Sequence, residues 1–312
     1  MQEAQLDCAS ILKLAAQSFN LQLGNVPCGL YICATPLGNR ADISLRNLHT
    51  LSQVDEVYAE DTRVTKTLLA SYGISKPVVR MDEALIASRS QEVLDKVVSG
   101  KTIAYCSDAG MPGISDPGMR LIARAHKQGI PVFVVPGPSA CDMAYVFAGM
   151  SAANFHFKGF FPKKRQAQER ELSALAWAES SHIYYESPHR IVDTLALVAQ
   201  LLPKRKIALA RELTKLHEEL IVGRAEEIFA EVLARSQDQK RTSSLKGEMV
   251  LVIDGVSDEE RLANQEESAN SLKAIALAAL DEGLSKKDVV SLLRDKHGVS
   301  RNVAYDLVQE LR

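Results

Sequence analysis

The sequence predicts an α/β fold that comprises two domains and a small C-terminal helical unit. Over residues 30–140, short apolar runs alternate with helical patterns, which is typical of repeated βαβ units and of a parallel sheet. In the next part of the chain, short strands alternate with helices and include a hairpin-like pair at 206–211 and 217–223, which predicts a mixed sheet. Further helical patterns over residues 271–312 predict the terminal unit.

The length of 312 residues suits two domains with an appendage. The predicted units are an N-terminal extension at 1–27, a parallel-rich α/β domain at 28–140, a mixed-sheet α/β domain at 141–255, a linker at 256–270 and a helix-turn-helix-like unit at 271–312. The linker is assigned because its composition is acidic and polar. A packing or dimerisation role for the terminal unit is as compatible with its pattern as nucleic-acid binding.

Apolar runs and turn residues define the elements of the first domain. Runs of β-branched and apolar residues predict strands at 30–34, 56–59, 78–81, 102–106 and 131–135. Helical patterns lie between them at 44–51, 61–72, 88–98 and 119–127. Two of these helices end at glycines, Gly73 and Gly100, as helices commonly do.

The same signals define the elements of the second domain and of the terminal unit. The predicted strands are 155–157, 182–185, 206–210, 219–222 and 248–253. The predicted helices are 169–177, 190–201, 225–233, 271–282, 285–294 and 300–311. Ser285 and Ser300 occupy N-cap positions of the last two helices.

Composition and charge exclude several classes of protein. The formal net charge of −2 gives no global signal for nucleic-acid binding, so any basic surface must be local. Five scattered cysteines without a C-x-x-C pair indicate reduced thiols in the cytoplasm, and the seven dispersed histidines give no zinc-site spacing. No apolar stretch is long enough to span a bilayer, and no signal-peptide pattern is present. We therefore expect a cytoplasmic protein with no metal site and no membrane partner.

Turns rich in glycine, proline and aspartate follow strands of the first domain. They comprise residues 34–39, 60–63, 107–118 and 136–140. The carboxyl ends of parallel strands share one edge of the sheet, where ligands bind in open α/β folds, so we expect these turns to form one site. The alternative is a purely local role in turns and helix capping, for example by Ser115 or Asp116.

The composition of these turns restricts the class of ligand. None of them is a G-x-G-x-x-G fingerprint or a Walker A sequence, and no lysine follows a glycine-rich turn. Binding of a nucleoside triphosphate is therefore disfavoured. Exposed main-chain groups and small side chains suit a neutral or cationic ligand that has an adenosine part and an amino-acid part.

An ordered set of segments resembles a known family. They are ATPLGN at 34–39, AEDTR at 59–63, SDAG at 107–110, ISDPG at 114–118, PGPS at 136–139, GFFP at 159–162, YYESPHR at 184–190, ARELTK at 210–215 and KGEMV at 246–250. In this set the chain resembles the tetrapyrrole methylase superfamily, and within it the cytidine 2′-O-methyltransferases of small-subunit ribosomal RNA. Segments 60–63, 185–189 and 211–215 look like this RNA-modifying branch, since methylases of corrinoid precursors resemble only the glycine-rich loops.

The resemblance implies S-adenosylmethionine as cofactor, bound in a folded conformation in the cleft between the two domains, and a homodimer. The cofactor residues that it implies in the first domain are Pro36, Leu37, Gly38, Ser107, Asp108, Ala109, Gly110, Ile114, Ser115, Asp116, Gly137, Pro138 and Ser139. Those that it implies in the second domain are Tyr185, Glu186, Ser187, Arg211, Glu212, Lys246, Gly247 and Glu248. We also expect Arg211 and Glu212 to form an ion pair that supports the cleft.

The chain departs from the family pattern after the third strand. Where the family usually carries a His-Glu-His-Asn type segment, residues 81–86 read Met-Asp-Glu-Ala-Leu-Ile. The imidazoles are absent. We therefore expect either a different use of Asp82 and Glu83 or an altered activity.

Methyl transfer to a ribose hydroxyl requires placement of donor and acceptor and a group that takes the hydroxyl proton. Glu60 and Asp61, at the carboxyl end of a predicted strand, are the candidate bases. Arg63 is the third candidate catalytic residue, because it can hold a phosphate or pair with either carboxylate. The alternatives are an N-cap role for Asp61 and a surface salt bridge for Arg63.

A basic loop with two aromatic residues is the candidate RNA-binding segment. Phe160 and Phe161 offer rings on which unpaired bases stack, and Lys163, Lys164 and Arg165 offer phosphate contacts. The alternative is a solvated helix entry in which both phenylalanines are buried.

The sequence therefore predicts an S-adenosylmethionine-dependent methyltransferase that acts on the 2′-hydroxyl of a cytidine in ribosomal RNA of the small subunit. A methylase of corrinoid or porphyrin precursors is a first alternative, for which we expect an apolar cavity without a basic entrance. A non-catalytic RNA-binding factor of ribosome assembly, with the same fold, is a second.

Overall fold

The first α/β domain is built on a five-stranded parallel sheet. A computed structural model describes residues 7–19, 23–116, 118–238 and 245–311. The strands are β1 (Leu30–Cys33), β2 (Glu56–Ala59), β3 (Val78–Arg80), β4 (Ile103–Cys106) and β5 (Val132–Val135). Their order is β3-β2-β4-β1-β5, and every pair is parallel. The predicted strands are confirmed to within one residue at each end.

Helices cover both faces of this sheet, so its central strands are buried on both sides. They are α1 (Cys8–Phe19), α2 (Leu45–Gln53), α3 (Thr62–Ser71), α4 (Glu83–Val98) and α5 (Gly118–Lys127). In β1, Tyr31 and Cys33 pack with residues of α1, α2 and α3, whereas Leu30 and Ile32 pack with residues of α4 and α5. This alternation follows from the two-residue period of a strand.

The second α/β domain contains a mixed sheet. Its strands are β6 (Phe155–Phe160), β7 (Ser181–Glu186), β8 (Lys206–Arg211), β9 (Glu219–Arg224) and β10 (Met249–Ile253). The order is β6-β7-β10-β8-β9, with a parallel β6–β7 pair and antiparallel pairing elsewhere. The predicted hairpin of β8 and β9 and the predicted mixed sheet are both confirmed.

Four helices pack on the mixed sheet. They are α6 (Ala140–Ala148), α7 (Arg165–Leu175), α8 (Ile191–Leu201) and α9 (Ala225–Gln237). Helices α7, α8 and α9 share one core, while α6 packs on the other face through Cys141 and Ala144. Leu37 and Ile114 of the first domain pack partly buried against the α6 core, so this face brings the two domains together. The sequence pattern did not predict α6.

The terminal unit is formed by α10 (Asp258–Asp281), α11 (Lys286–His297) and α12 (Arg301–Glu310). The linker predicted at 256–270 is largely helical, because α10 begins at Asp258 and continues past it. Ser257 and Glu260 form a capping box at its first turn, in which each side chain accepts from the backbone N–H of the other residue. The acidic composition alone did not indicate this helix start. The buried Arg205 also holds this turn, with Nε 3.0 Å from the Glu260 carboxylate.

The N-terminal extension is described in part. The backbone N–H of Cys8, in α1, donates to the Tyr72 carbonyl at 2.8 Å, which attaches this helix to the first domain. Residues 1–6 and 20–22 of the predicted extension lie outside the described residues, and the domain boundaries stay predictions. No helix in the described ranges is both long and apolar enough to cross a bilayer.

Candidate active site between the two domains

A cleft of about 270 Å³ lies between the carboxyl ends of the first-domain strands and the second sheet. Its walls come from both domains and from the start of α6. The lining residues are Leu37, Glu60, Ser107, Asp108, Ala109, Gly110, Met111, Ile114, Ser115, Asp116, Ser139, Ala140, Phe160, Tyr185, Glu186, Glu248, Met249 and Val250. Segments distant in sequence thus meet at one cavity.

Backbone hydrogen bonds hold the turn after β4 against the turn after β1. The N–H of Thr35 donates to the Gly110 carbonyl at 2.9 Å, and the N–H of Gly110 donates to the Thr35 carbonyl at 3.0 Å. Gly110 has φ +80°, and a Cβ there would lie 3.0 Å from Leu37 Cδ2 and 3.4 Å from the Pro138 carbonyl oxygen. Glycine is therefore required both by the left-handed backbone and by the close approach of the neighbouring turns.

Asp116 shapes the next part of the same loop. Its carboxylate accepts from the N–H of Gly113 at 2.7 Å and from the N–H of Gly118 at 2.8 Å. Ser115, with φ +64°, lies beside the second domain, since a Cβ on Gly159 would be 3.3 Å from its Oγ. The capping alternative for Asp116 is thus correct locally, and Asp116 still lines the cleft.

The second domain supplies an aromatic wall of the cleft, and buried polar contacts hold this wall in place. The Tyr185 ring lies 4.8 Å from the Phe157 ring and 5.6 Å from the Phe160 ring. The neighbouring Glu186 is buried, accepts from Thr194 Oγ1 at 2.7 Å and pairs with Arg190 at 3.1 Å. These contacts fix the end of β7 at the cleft.

A loop after β8 crosses from the second domain to the first. Glu212 and Thr214 both have positive φ, at +47° and +64°. Thr214 Oγ1 accepts from the N–H of Asn39 at 3.0 Å, and a Cβ on Gly38 would lie 2.2 Å from Lys215 Cγ. We call residues 212–215 the crossing loop, because its contacts join the two domains beside the cleft.

The structure brings most of the implied cofactor residues together. Twelve line the cleft: Leu37, Ser107, Asp108, Ala109, Gly110, Ile114, Ser115, Asp116, Ser139, Tyr185, Glu186 and Glu248. Nine do not: Pro36, Gly38, Gly137, Pro138, Ser187, Arg211, Glu212, Lys246 and Gly247. Met111, Ala140, Met249 and Val250 also line the cleft; they were not among the implied cofactor residues, although they lie within the selected turns 107–118 and 136–140 and segment 246–250.

The predicted ion pair between Arg211 and Glu212 is wrong. Arg211 Nη1 lies 2.8 Å from Glu219 Oε2, because the β8–β9 register places these two residues opposite each other. Glu212 instead accepts from Lys215 Nζ at 2.8 Å and from the N–H of Glu248 at 2.9 Å. Arg211 therefore links β8 to β9, and Glu212 holds the crossing loop.

Glu60 is the candidate base that the geometry favours. It lines the cleft at the end of β2. Burial, together with the nearby carboxylates of Asp116 and Asp108, raises the pKa of the Glu60 carboxyl to about 7. A carboxyl with this pKa exchanges protons near neutral pH, as a general base must.

Asp61 has the capping role that was its alternative. Its carboxylate accepts from the N–H of Arg63 at 2.8 Å at the start of α3 and pairs with Arg63 Nη2 at 2.6 Å. Hydrogen bonds from the Arg63 side chain and backbone hold the pKa of Asp61 well below its usual range. Such a carboxylate is a weak base, so Asp61 is a poor candidate for proton removal.

The structure separates the two phenylalanines of the basic loop. Phe160 is 59% exposed and lines the cleft, whereas Phe161 is 1% exposed and packs against Tyr184. The prediction that Phe161 binds substrate is therefore wrong. Lys163 and Lys164 are exposed, and Arg165, in the first turn of α7, pairs with Glu169 at 2.7 Å.

Residues 81–86, where the resemblance predicts histidines, have structural roles. Met81 is fully buried, and Asp82 Oδ1 accepts from the N–H of Leu85 at 3.1 Å as the N-cap of α4. This cap explains why α4 begins at Glu83, ahead of its predicted start at residue 88. Across the described ranges, no group of three or more His, Cys, Asp or Glu side chains is arranged to hold a metal ion.

Comparison with known proteins identifies the family. The profile of the Tetrapyrrole (Corrin/Porphyrin) Methylases matches residues 29–228. The chain belongs to this family. It is 39% identical over 277 residues to the Ribosomal RNA small subunit methyltransferase I of Haemophilus influenzae, covering 88% of this chain and 94% of that protein. The proteins of the same name from Halalkalibacterium halodurans and Coprothermobacter proteolyticus are 34% and 41% identical, covering 84% and 72% of this chain and 93% and 96% of theirs.

Solved structures share the methylase fold at low sequence identity. A diphthine synthase superposes with a TM-score of 0.58 at 15% identity, covering 76% of this chain and 94% of that one. A cobalt precorrin-4 methyltransferase superposes with a TM-score of 0.55 at 17% identity, covering 74% and 98%. The predicted two-domain α/β methylase fold and the predicted methyltransferase family are thus confirmed.

The raised pKa of Glu60 in this methylase can be measured directly. In a ¹³C-carboxyl NMR titration we expect the signal that Glu60→Gln removes to have its midpoint at about pH 7. Asp108→Asn removes a nearby negative charge, so it should lower this midpoint. Asp193→Asn, an exposed change in α8, is the control and should leave it unchanged. A midpoint near the ordinary glutamate value of about 4.3 would contradict the proposed environment.

Proposed function

We propose that this methyltransferase transfers a methyl group from S-adenosylmethionine to the 2′-hydroxyl of a cytidine in ribosomal RNA of the small subunit. The observation that carries the proposal is the position of Glu60. A carboxyl with a pKa of about 7 lines a cleft in which every charged lining residue is acidic. The names of the relatives at 34–41% identity support ribosomal RNA as the substrate class.

The cleft fits a cationic donor. Its charged lining residues are Glu60, Asp108, Asp116, Glu186 and Glu248, and no lysine, arginine or histidine lines it. Acidic side chains in a partly enclosed site favour a positively charged ligand. S-adenosylmethionine carries a sulfonium and an ammonium group, and it supplies an electrophilic methyl group that needs no acid at the leaving sulfur.

The turns around Gly110 would hold this donor through their backbone. The close approach of Gly110 to Leu37 and Pro138 leaves no space for a side chain there and keeps main-chain groups at the cleft surface. Tyr185 and Met249 give the opposite wall an apolar character. Such a combination of apolar walls and a few polar groups is typical of small-molecule sites.

Glu60 would take the proton of the ribose hydroxyl. A hydroxyl is a poor nucleophile at neutral pH, and a positioned base of suitable pKa contributes about 10²–10⁴-fold. Because Glu60 provides this base, the loss of the histidines at 81–86 does not remove the means of proton transfer. This supports an enzyme over a non-catalytic assembly factor.

The second-domain rim of the cleft would contact the RNA. Phe160 offers an exposed ring at the cleft, and the exposed Lys163 and Lys164 follow it closely in sequence. A ring beside cationic side chains suits an unpaired base and its phosphates. This basic entrance is not expected of a corrinoid methylase, and the structural neighbours of that class share only the fold with this chain.

We also propose a homodimer. Several apolar side chains of β5 and α6 are exposed in the single chain: Val134, Val146 and Phe147. Patches of exposed apolar side chains are typical of protein interfaces. Covering them in a second copy would remove this apolar surface from water.

Methylation of small ribosomal subunits tests the function. With labelled S-adenosylmethionine and subunits that lack the modification, we expect label on the 2′-oxygen of one cytidine. Glu60→Gln should lower the rate by about 100-fold or more, because no base remains, and Asp61→Asn should retain most of it. Label on a tetrapyrrole alone, or equal rates for Glu60→Gln and wild type, would contradict the assignment.

A matched pair of glycine changes tests the donor site. Gly110 and Gly129 both have positive φ, at +80° and +66°, but only Gly110 has neighbours within van der Waals distance of a Cβ. Gly110→Ala should weaken S-adenosylmethionine binding about tenfold in calorimetry, since Leu37 and Pro138 must move. Gly129→Ala carries the same backbone strain and should bind normally. Equal affinities would remove this turn from the donor site.

The dimer is tested by sedimentation equilibrium. We expect twice the monomer mass for the wild-type protein. Val146→Lys should shift the equilibrium toward monomer, because it places a charge on the exposed face of α6. Val98→Lys, a change at an equally exposed valine of α4, should leave the mass unchanged. A wild-type protein with the monomer mass would exclude the homodimer.

A further inference from the structure

A second, more open groove adjoins the cleft on the first domain. It has a volume of about 590 Å³, within the range of about 300–1,000 Å³ usual for ligand sites. Its lining residues are Pro36, Leu37, Gly38, Arg40, Asp61, Arg63, Val64, Thr67, Leu68 and Asp108. Leu37 and Asp108 line both cavities, so the groove and the cleft adjoin at these two residues.

A row of arginines runs along this groove and past Glu60. Arg40 and Arg63 line the groove itself. A smaller cavity of about 370 Å³ beside it is lined by Glu60, Asp61, Thr62, Arg63 and Arg80. Glu60 therefore lies at the junction, with the acidic cleft on one side and the arginines on the other. We call Arg40, Arg63 and Arg80 the arginine row.

The acidic groups near the arginine row leave its guanidinium groups exposed. Arg40 is exposed and forms no ion pair with any residue in the described part of the chain. Arg63 pairs with Asp61 and Arg80 with Asp82, but their side chains remain 89% and 68% exposed. Asp108 also faces the groove, and its Oδ1 is occupied by the N–H of Asp61 at 3.0 Å. Exposed arginines with part of the guanidinium free are suited to phosphate oxygens.

We propose that this groove binds the single-stranded RNA that flanks the target nucleotide, with the arginine row on its phosphates and the target ribose directed to Glu60. The inference rests on the proposed function and extends it to Arg40 and Arg80, which the sequence analysis did not select. Val64 and Leu68 give the groove an apolar floor against which a ribose or base packs. The lysines after Phe160 lie on the other domain, so the RNA contacts both rims of the cleft.

Charge reversal tests the groove. We expect Arg40→Glu and Arg80→Glu each to raise the KM for small ribosomal subunits about tenfold and to reduce the salt dependence of RNA binding by about one phosphate contact. The affinity for S-adenosylmethionine should not change. Arg63 is left intact because it also holds Asp61. Arg224→Glu is the matched control, since Arg224 is exposed at the opposite end of the second sheet.

The outcomes separate the groove from the function. RNA affinity and salt dependence equal to wild type in Arg40→Glu and Arg80→Glu would overturn the groove while leaving methyl transfer intact. An equal loss in Arg224→Glu would also overturn it, since the effect would then be general electrostatics. If the wild-type protein binds RNA and both groove variants do not, the groove proposal is supported even when no methyl transfer is found. In that case only the proposed function fails.

Discussion

The contact between the crossing loop and the turn at Gly38 is the constraint on which the site depends. The two sheets belong to separate domains, and the cleft has its shape only while they are held face to face. Thr214 accepts a hydrogen bond from Asn39, and Lys215 occupies the space that a side chain at position 38 would fill. The left-handed backbone at Glu212 and Thr214 costs about 1–3 kcal/mol per residue, and such strain persists only where surrounding contacts enforce it. At Thr214 the enforcing contact is the one that joins the domains, whereas Lys215 and Glu248 hold Glu212 within the second domain.

The two adjoining cavities differ in their charged residues. Those that line the cleft are carboxylates, while the groove beside it combines Arg40 and Arg63 with Asp61 and Asp108. This division suits a reaction between a cationic donor and a polyanionic acceptor, since each is attracted to its own side. The same carboxylates raise the pKa of Glu60. A cation held in the cleft would oppose that effect and favour the ionised base, so the acidic wall both attracts the donor and makes the base sensitive to its presence.

The fold was largely predictable from sequence because its strands are apolar runs between strong turn residues. The missed elements have weak patterns: α6 is apolar on most of its surface and follows a Pro-Gly-Pro turn, and α10 begins in an acidic segment typical of linkers. The converging turns of the site were predictable from the shared edge of parallel strands. Individual partners were not, because Arg211 meets Glu219 only through strand register. Phe160 and Phe161 likewise differ in exposure because they contact Tyr185 and Tyr184, consecutive residues of β7 that face opposite sides.

The continuity of α10 determines the distance between the second domain and the terminal unit, which matters for a large substrate. Its first turn is fixed to the second domain by Arg205, and its later residues, from Leu272 onward, join the core of the terminal unit. At about 1.5 Å per residue, the intervening helix spans roughly 20 Å. A flexible linker would allow the terminal helices many positions relative to the second domain. A helical linker restricts their distance and orientation. The protein thus carries a helical spacer, which would hold the terminal unit at a set distance from the second domain.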